Sequence, residues 1–355
     1  MSTMRLVLTL ILVTHTGLSL PRFAVRTNLT CQNCHIDPNG GGMRTYYGSA
    51  LYARGTLPVR GWNDSLALEN FTTELSDIVS FGTDLRTLFS YRPETHTNSF
   101  YQMQGNIYLS AKLAKKVMVY LNKGLYSGFE VFGLLNLLPA NGYFKVGRFT
   151  PAYGTKTDDH TNFIRSKTDF INNRREDTGI EVGFSPSFMT WNVGLYNGIK
   201  GSAFSNEKMR LITSRLDMKF HVDNVKFSLG GSFWYNNLRV GPLTMVGGFG
   251  GMSFEKLTLH GEIDFKKDKS LMGTNEFISF IEVNYLLIDG VDLKLMYDFY
   301  DSDTGVKTGS ETRYCIGLEF FPINGVEVRP MYRFLIEEPV DRSNNEIDIL
   351  VHFYL

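Results

Sequence analysis

The chain has 355 residues, which is enough for one large domain or two ordinary ones. Its 36 Lys and Arg balance its 36 Asp and Glu, which argues against a polyanionic partner such as nucleic acid. Three cysteines are too few for a disulfide framework, whereas 14% aromatic residues and 34 Gly beside 11 Pro favour a β-rich fold.

The first 19 residues have the features of a secretory signal peptide. Arg5 precedes an apolar run at residues 6–13, and the small residues Gly17 and Ser19 follow where a signal peptidase would cut. An uncleaved membrane anchor is the alternative, but the run has about half of the ~20 apolar residues that a spanning helix needs. No later stretch supplies such a run, so any crossing of a membrane must use strands.

Residues 20–65 form the next predicted unit, organised around Cys31-Gln32-Asn33-Cys34-His35. In a CxxCH run both thiols add to haem vinyl groups and the histidine ligates the iron, so the spacing predicts one covalent haem c. Cys31 and Cys34 are the expected attachment sites and His35 is the expected proximal ligand. A zinc or redox pair is the alternative, but no second CxxC or histidine pair lies nearby to complete a zinc site.

Two residues are candidates for the second axial ligand of the iron. Met43 follows the flexible run at residues 40–42, and eight residues of chain at up to ~3.3 Å each can pass round the edge of a haem. Packing of Met43 on the porphyrin, without ligation of the metal, is the alternative. His160, in a later loop, is the second candidate, and its ligation would require a haem inside the barrel predicted below.

From residue 66 to residue 355 the chain alternates apolar and polar side chains along extended segments. In the first segment Leu85 and Phe89 fall on the side opposite to Asp84 and Arg86. Period-two alternation indicates strands, and charges in mid-strand suit a water-filled lumen better than a sandwich core. The pattern predicts an all-β fold, a transmembrane antiparallel β-barrel of about 16 strands, rather than a soluble sandwich or propeller.

The predicted strands lie near residues 73–91, 99–111, 115–122, 127–138, 141–149, 178–185, 187–197, 208–222, 224–236, 242–253, 256–266, 275–287, 291–301, 311–321, 326–337 and 346–355. Tight turns follow the even-numbered strands and longer polar loops follow the odd-numbered ones, which is typical of outer-membrane barrels. This arrangement places the haem segment on the periplasmic side or inside the barrel of a bacterial outer-membrane protein.

The longest connection, residues 150–177, is the third of the long loops. It mixes cations such as Lys156 and Arg165 with acids such as Asp158. A loop of this length in a compact fold is typically functional, and it is expected to fold into the barrel and narrow it. A solvated surface loop is the alternative.

Sequence signatures of catalysis are missing, since the chain contains no nucleophile elbow, phosphate loop or HExxH run. The sequence therefore predicts an electron carrier rather than an enzyme, although iron oxidation outside the cell is left open. A haem peroxidase would need an open iron site with a distal acid-base residue.

With CxxCH directly after a signal peptide and a barrel-like remainder, the chain resembles the fused monohaem cytochrome c and porin proteins of bacterial outer membranes. Residues 22–27, Arg-Phe-Ala-Val-Arg-Thr, are also similar to that group. The resemblance implies electron transfer across the outer membrane, between periplasmic c-type cytochromes and an extracellular donor or acceptor. A porin-type channel for small solutes, whose haem segment plugs, gates or anchors the pore, is the alternative.

Overall fold

The computed structural model describes residues 21–62, 71–125, 128–168, 176–199, 210–238, 241–269 and 273–355. The predicted signal peptide and the predicted boundary at residues 65–66 lie outside the described residues. None of the helices found in these ranges combines the length and apolar character needed to cross a membrane.

Sixteen antiparallel strands in the described ranges form one closed barrel, in which neighbours in sequence pair and β1 pairs with β16. The strands are β1 (Val79–Arg92), β2 (Thr97–Ala114), β3 (Val117–Gly124), β4 (Phe129–Leu138), β5 (Gly142–Phe149), β6 (Asp177–Phe184), β7 (Met189–Tyr196), β8 (Leu211–Val222), β9 (Val225–Leu238), β10 (Gly241–Phe254), β11 (Leu257–Asp268), β12 (Thr274–Ile288), β13 (Val291–Asp301), β14 (Ser310–Phe320), β15 (Val326–Glu337) and β16 (Glu346–Tyr354). The predicted fold class is confirmed.

The largest boundary difference is at the first strand, which begins at Val79 rather than near residue 73. The backbone N–H groups of Leu75 and Ser76 both donate to the carbonyl of Val79, at 3.0 Å. The chain therefore turns back on itself before the strand starts, because Ser76 accepts further hydrogen bonds from the backbone at residues 78–79.

The two faces of the wall differ as the alternation predicts. On β1 the side chain of Leu85 is 38% exposed on the outside, whereas Asp84 is 4% exposed on the inside. The same contrast appears at the other end of the sheet, where Ile349 faces outward and Asp348 is buried. A wall with an apolar outer face and charged inner face is suited to lipid outside and polar material inside.

Residues 21–62, the N-terminal segment, lie inside this wall. The segment contains helix α1 (Pro21–Thr27), a 3-10 turn (Cys31–Asn33) and a π-helical stretch (Tyr47–Ala53). Helix α1 contacts β9, β10 and β11, and Arg22 pairs with Glu319 of β14 on another part of the wall. Contacts to separated parts of one closed sheet are possible only from within the barrel.

The segment occupies the end of the barrel where the tight turns lie. Arg60 pairs with Asp289 in the turn between β12 and β13, at 2.6 Å. The backbone N–H of Val59 donates to the carbonyl of Phe321, in the turn between β14 and β15, at 3.0 Å. These contacts place the last part of the segment across the short-turn rim, while α1 reaches deeper.

The third loop, residues 150–176, enters the barrel from the long-loop end. Within residues 150–168, which include helix α2 (Phe163–Ser166), Tyr153 donates a hydrogen bond to Asp264 of β11 at 2.8 Å. Arg333 of β15 pairs with Asp159 at the same separation. The inward fold predicted for this loop is confirmed over residues 150–168.

Candidate functional site

The CxxCH residues form a tight turn inside the barrel. The backbone N–H groups of Cys34 and His35 both donate to the carbonyl of Cys31, at 3.1 and 3.0 Å. Neither cysteine of the motif is joined in a disulfide. Cys34 is buried and Cys31 is partly buried, and burial raises the pKa of the Cys31 thiol. The structure thus brings two thiols and an imidazole together.

The chain after the motif doubles back as a hairpin, with His35 paired to Arg44 and the N–H of Ile36 donating to the carbonyl of Met43 at 3.0 Å. Residues 40–42 turn this hairpin with φ of +80°, +77° and +64°, a region in which glycine avoids the steric penalty of a side chain. At Gly42 a Cβ would lie 2.4 Å from the hydroxyl oxygen of Tyr120. The hairpin therefore requires glycine for both its backbone and its packing.

The hairpin also orients the histidine. His35 Nδ1 lies 3.2 Å from the carbonyl oxygen of Gly42. A carbonyl only accepts, so Nδ1 carries the proton and Nε2 holds the lone pair in the neutral ring. Metal-ligating histidines commonly donate their second N–H to a carbonyl in this way, which fixes the tautomer and the ring.

A cavity of about 1390 Å³, counting the solvent at its mouth, lies beside the motif and is called the main cavity below. Its wall combines Cys34 and His35 with side chains from the strands and the third loop, among them Tyr108, Tyr120, His352, Arg86 and Arg165. Cys31 instead faces a smaller cavity of about 500 Å³, which His260 also lines. Cys34 and His35 thus share one cavity wall with side chains of the strands and of the third loop.

These residues fit a covalent haem. Two thiols two residues apart suit thioether attachment, and the imidazole already has the tautomer that ligates a metal through Nε2. Gly40 approaches Cys31 so closely that a Cβ there would lie 3.2 Å from the sulfur, which leaves little space for any other residue. Cys34 and His35 both line the main cavity, so a group attached at the motif would lie against the strands and the third loop.

Met43 is placed beside His35 rather than across the cavity from it. Its side chain is fully buried in a cluster with Tyr108 and Tyr120, and its N–H donates to the Tyr120 hydroxyl at 3.2 Å. The described lining of the main cavity does not include Met43. Its assignment as a distal ligand and the alternative of packing on the porphyrin both stay predictions.

His160 lies in the buried part of the third loop. Its Nε2 is 3.3 Å from Nη1 of Arg86, which can only donate, so Nε2 accepts. Burial and the nearby charges of Arg86 and Arg165 hold the pKa of His160 well below its usual range, so the ring is neutral. His160 is not among the described residues that line the main cavity, and its ligation to iron also stays a prediction.

His352 is the lining histidine that sequence reasoning did not select. Its Nδ1 is 2.9 Å from Glu327 and its Nε2 is 2.6 Å from Asp84, so both ring nitrogens face carboxylates. The alternation of β16, with Ile349 outward, already places His352 on the inner face. Nothing in that pattern indicates its two acidic partners, which come from β1 and β15.

Charged pairs tie the N-terminal segment to the wall and to the third loop. Asp37 pairs with Lys145 of β5 at 2.8 Å and with Lys156 of the third loop at 3.7 Å. Burial alone would raise the pKa of Asp37, but the two ammonium groups lower it below its usual value. Lys156 also donates to the carbonyl of Gly40 at 2.8 Å, so the third loop directly contacts the hairpin after the motif.

The described residues form a closed 16-stranded barrel whose interior holds the N-terminal segment and residues 150–168 of the third loop. Scans against protein-family models and against curated proteins find no match.

Solved structures, in contrast, include many similar barrels. OprB of Pseudomonas putida is 8% identical, with a TM-score of 0.63 over 78% of this chain and 94% of that one. OmpT, an outer membrane protein of Vibrio cholerae, is 13% identical, with a TM-score of 0.57 over 78% and 99%. The outer membrane channel DcaP of Acinetobacter baumannii is 10% identical, with a TM-score of 0.56 over 78% and 97%. At these identities the similarity is one of fold.

Proposed function

We propose that this chain is a bacterial outer-membrane barrel that transfers electrons through one covalent haem c held in its lumen by Cys31, Cys34 and His35. The observation that carries the proposal is the position of the motif. The CxxCH turn lies inside a closed barrel, and Cys34 and His35 open onto a cavity of about 1390 Å³. When bound, the haem supplies a one-electron redox centre.

The wall supports the location. Its outer face is apolar and its fold is that of outer-membrane barrels, so membrane lipid is the proposed surrounding. The short-turn rim, which the N-terminal segment covers, would then face the periplasm. Periplasmic c-type cytochromes are the proposed partners on that side, and a redox partner or small solute on the other.

The contact between the segment and the third loop shortens the distance that an electron would have to travel between the haem and the far side of the membrane. A haem at one mouth of the barrel would lie beneath an apolar band ~25 Å tall, too far for efficient transfer to the other side. Here Lys156, on the loop that enters from the long-loop end, contacts Gly40 and Asp37 beside the motif. The motif is therefore reached from both ends of the barrel.

The protein residues have three tasks in this proposal. Gly42 orients His35 through its carbonyl, and Tyr108 and Tyr120 form part of the cavity wall. The segment and the loop together exclude bulk water from the lumen. Met43 and His160 remain the proposed distal ligands, and either would have to leave the contacts described above to reach the iron.

The test is haem content and redox activity of the purified full chain. Wild-type protein should contain one haem that survives denaturation, and the double variant Cys31→Ala/Cys34→Ala should contain none. Cys315→Ala, which removes a buried cysteine of β14 far from the motif in sequence, should keep its haem. A correctly folded wild-type barrel without covalent haem, expressed with an intact haem-attachment system, would contradict the proposal.

Conduction of small solutes is the second candidate, favoured by the similarity to DcaP, which is described as a channel. The two functions separate in planar bilayers. Electron transfer through a filled lumen predicts that haem-loaded wild-type protein is closed to ions, whereas a solute channel predicts an open conductance. Open pores in fully haem-loaded protein would exclude electron transfer through a filled lumen.

A further inference from the structure

Two buried arginines line the main cavity from elements outside the N-terminal segment. Arg86 comes from β1 and Arg165 from α2 in the third loop, and both line the cavity. Their exposures are 8% and 5%. Nη1 of Arg86 donates to the backbone carbonyl of Asp158 at 2.7 Å and to His160. Among the described residues, Arg86 forms no ion pair, and its Nε has no hydrogen-bond partner.

A guanidinium in this position is unusual, because burying a charge without a carboxylate partner is expensive. Acids that line the same cavity have other partners: Asp37 pairs with Lys145, and Asp158 pairs with Arg329. Asp84 and Glu327 both contact His352, and Glu130 accepts hydrogen bonds from Asn122 and Thr150. Burial and the nearby charge of Arg86 lower the pKa of Arg165 to about 10, so the two guanidinium groups are close enough to repel each other.

We propose that Arg86 and Arg165 form a carboxylate site that binds the haem propionates, an inference that rests on the proposed function. In haem c the propionates leave the porphyrin edge opposite to the vinyl groups. A haem held through Cys34 would extend its propionates away from that attachment, and Arg86 and Arg165 are buried cations of the same cavity that lie outside the segment with the motif. Planar guanidinium groups match carboxylates through paired hydrogen bonds, which makes arginine the appropriate residue type.

The measurement is the midpoint potential of the haem in the full, haem-loaded chain. Arg86→Gln and Arg165→Gln should each shift it to lower values, because losing a nearby cation favours ferric over ferrous haem. The expected change is about tenfold in the redox equilibrium, equal to about 59 mV. Arg86→Lys should retain most of the wild-type potential. Arg92→Gln removes an exposed arginine of the same strand, paired with Glu346, and should leave the potential unchanged.

The outcomes separate this inference from the proposed function. Haem-loaded Gln variants with an unchanged potential would overturn the propionate site and leave the haem itself in place. Unchanged potentials together with a changed anion permeability would assign the arginines to a free carboxylate solute, which also overturns it. Protein without haem would overturn both. Heat-modifiable migration on gels checks that each variant is a folded barrel, and either arginine suffices if the other variant fails to fold.

Discussion

The wall of the barrel and the material inside it are held by different kinds of contact. Between β1 and β16 the register runs without interruption from Asp84 opposite Tyr354 to Tyr91 opposite Ile347. Inside, Arg22 pairs with Glu319 and Glu282 in a buried charged group that also contains Lys294 and Arg329. The wall depends on many equivalent hydrogen bonds, whereas the filling depends on a few pairs that cannot replace one another.

The largest effect is expected from reversing the charge of Arg22. Arg22→Glu would place a fourth carboxylate among Asp158, Glu282 and Glu319, whereas breaking a buried pair alone costs about 3–5 kcal/mol. We expect the N-terminal segment to leave the lumen while the barrel persists. Single-channel recording should then show an open pore, and trypsin should cleave within residues 21–62.

The control for this change is Arg60→Glu. Arg60 belongs to the same segment but is 90% exposed, and exposed ion pairs contribute only about 0–1 kcal/mol. Its pore should stay closed. If Arg22→Glu also stayed closed and protease-resistant, the filling would not depend on its buried pairs, and the contrast with the wall would be lost.

A smaller effect is expected at Asp37. Asp37→Asn leaves Lys145 buried without a full countercharge, at about 3 kcal/mol of docking stability. In the wild type the folded pKa of Asp37 lies below its unfolded value, so its contribution is present above about pH 4 and is lost as the pH falls further. At pH values below about 4, a lower urea concentration should therefore be enough to expose the segment to protease.

In Asp37→Asn the urea concentration that exposes the segment to protease should be lower than in the wild type at neutral pH. It should also change less when the pH is lowered below about 4. Some acid dependence will remain, since neighbouring cations also lower the pKa of Asp158 and Asp159 below the usual value despite their burial. An unchanged acid dependence in the variant would show that Asp37 does not link the segment to the wall.

The smallest of the three effects concerns packing, and two adjacent glycines allow a matched comparison. Gly41→Ala and Gly42→Ala share a positive φ, but only the second places a Cβ 2.4 Å from the Tyr120 hydroxyl; the first meets a flexible lysine side chain at 3.6 Å. We expect Gly42→Ala to destabilise the docked N-terminal segment by about 1–3 kcal/mol more than Gly41→Ala does, as measured by the same urea assay. Tyr120→Phe should restore part of that difference, and equal effects of the two alanines would argue against this contact.

The sequence predicts the wall well because the alternation within each strand shows which side chains face outward and which face inward. The outward position of Leu85 and the inward position of Asp84 follow from period two alone, and the strand count follows from repeating that reading along the chain. The start of β1 was misplaced because Ser76 and Val79 form a local turn that alternation does not reveal.

Only part of the candidate site can be predicted from local sequence patterns. The CxxCH run and the glycines at residues 40–42 are local signals, and the structure keeps them together in one hairpin. The approach of Arg86 to Arg165, and of His352 to Asp84 and Glu327, depends on how the barrel closes and on where the third loop enters it. Residues so far apart in sequence leave no local pattern.

The position of Cys34 also sets an order of events during biogenesis. Its side chain is 3% exposed, beneath Phe23, Tyr52 and the wall residue Phe321. An attachment enzyme cannot reach a thiol enclosed by a finished sheet. Under the proposed function, haem attachment at the motif would therefore precede closure of the barrel, and insertion of the loaded chain into the membrane would follow.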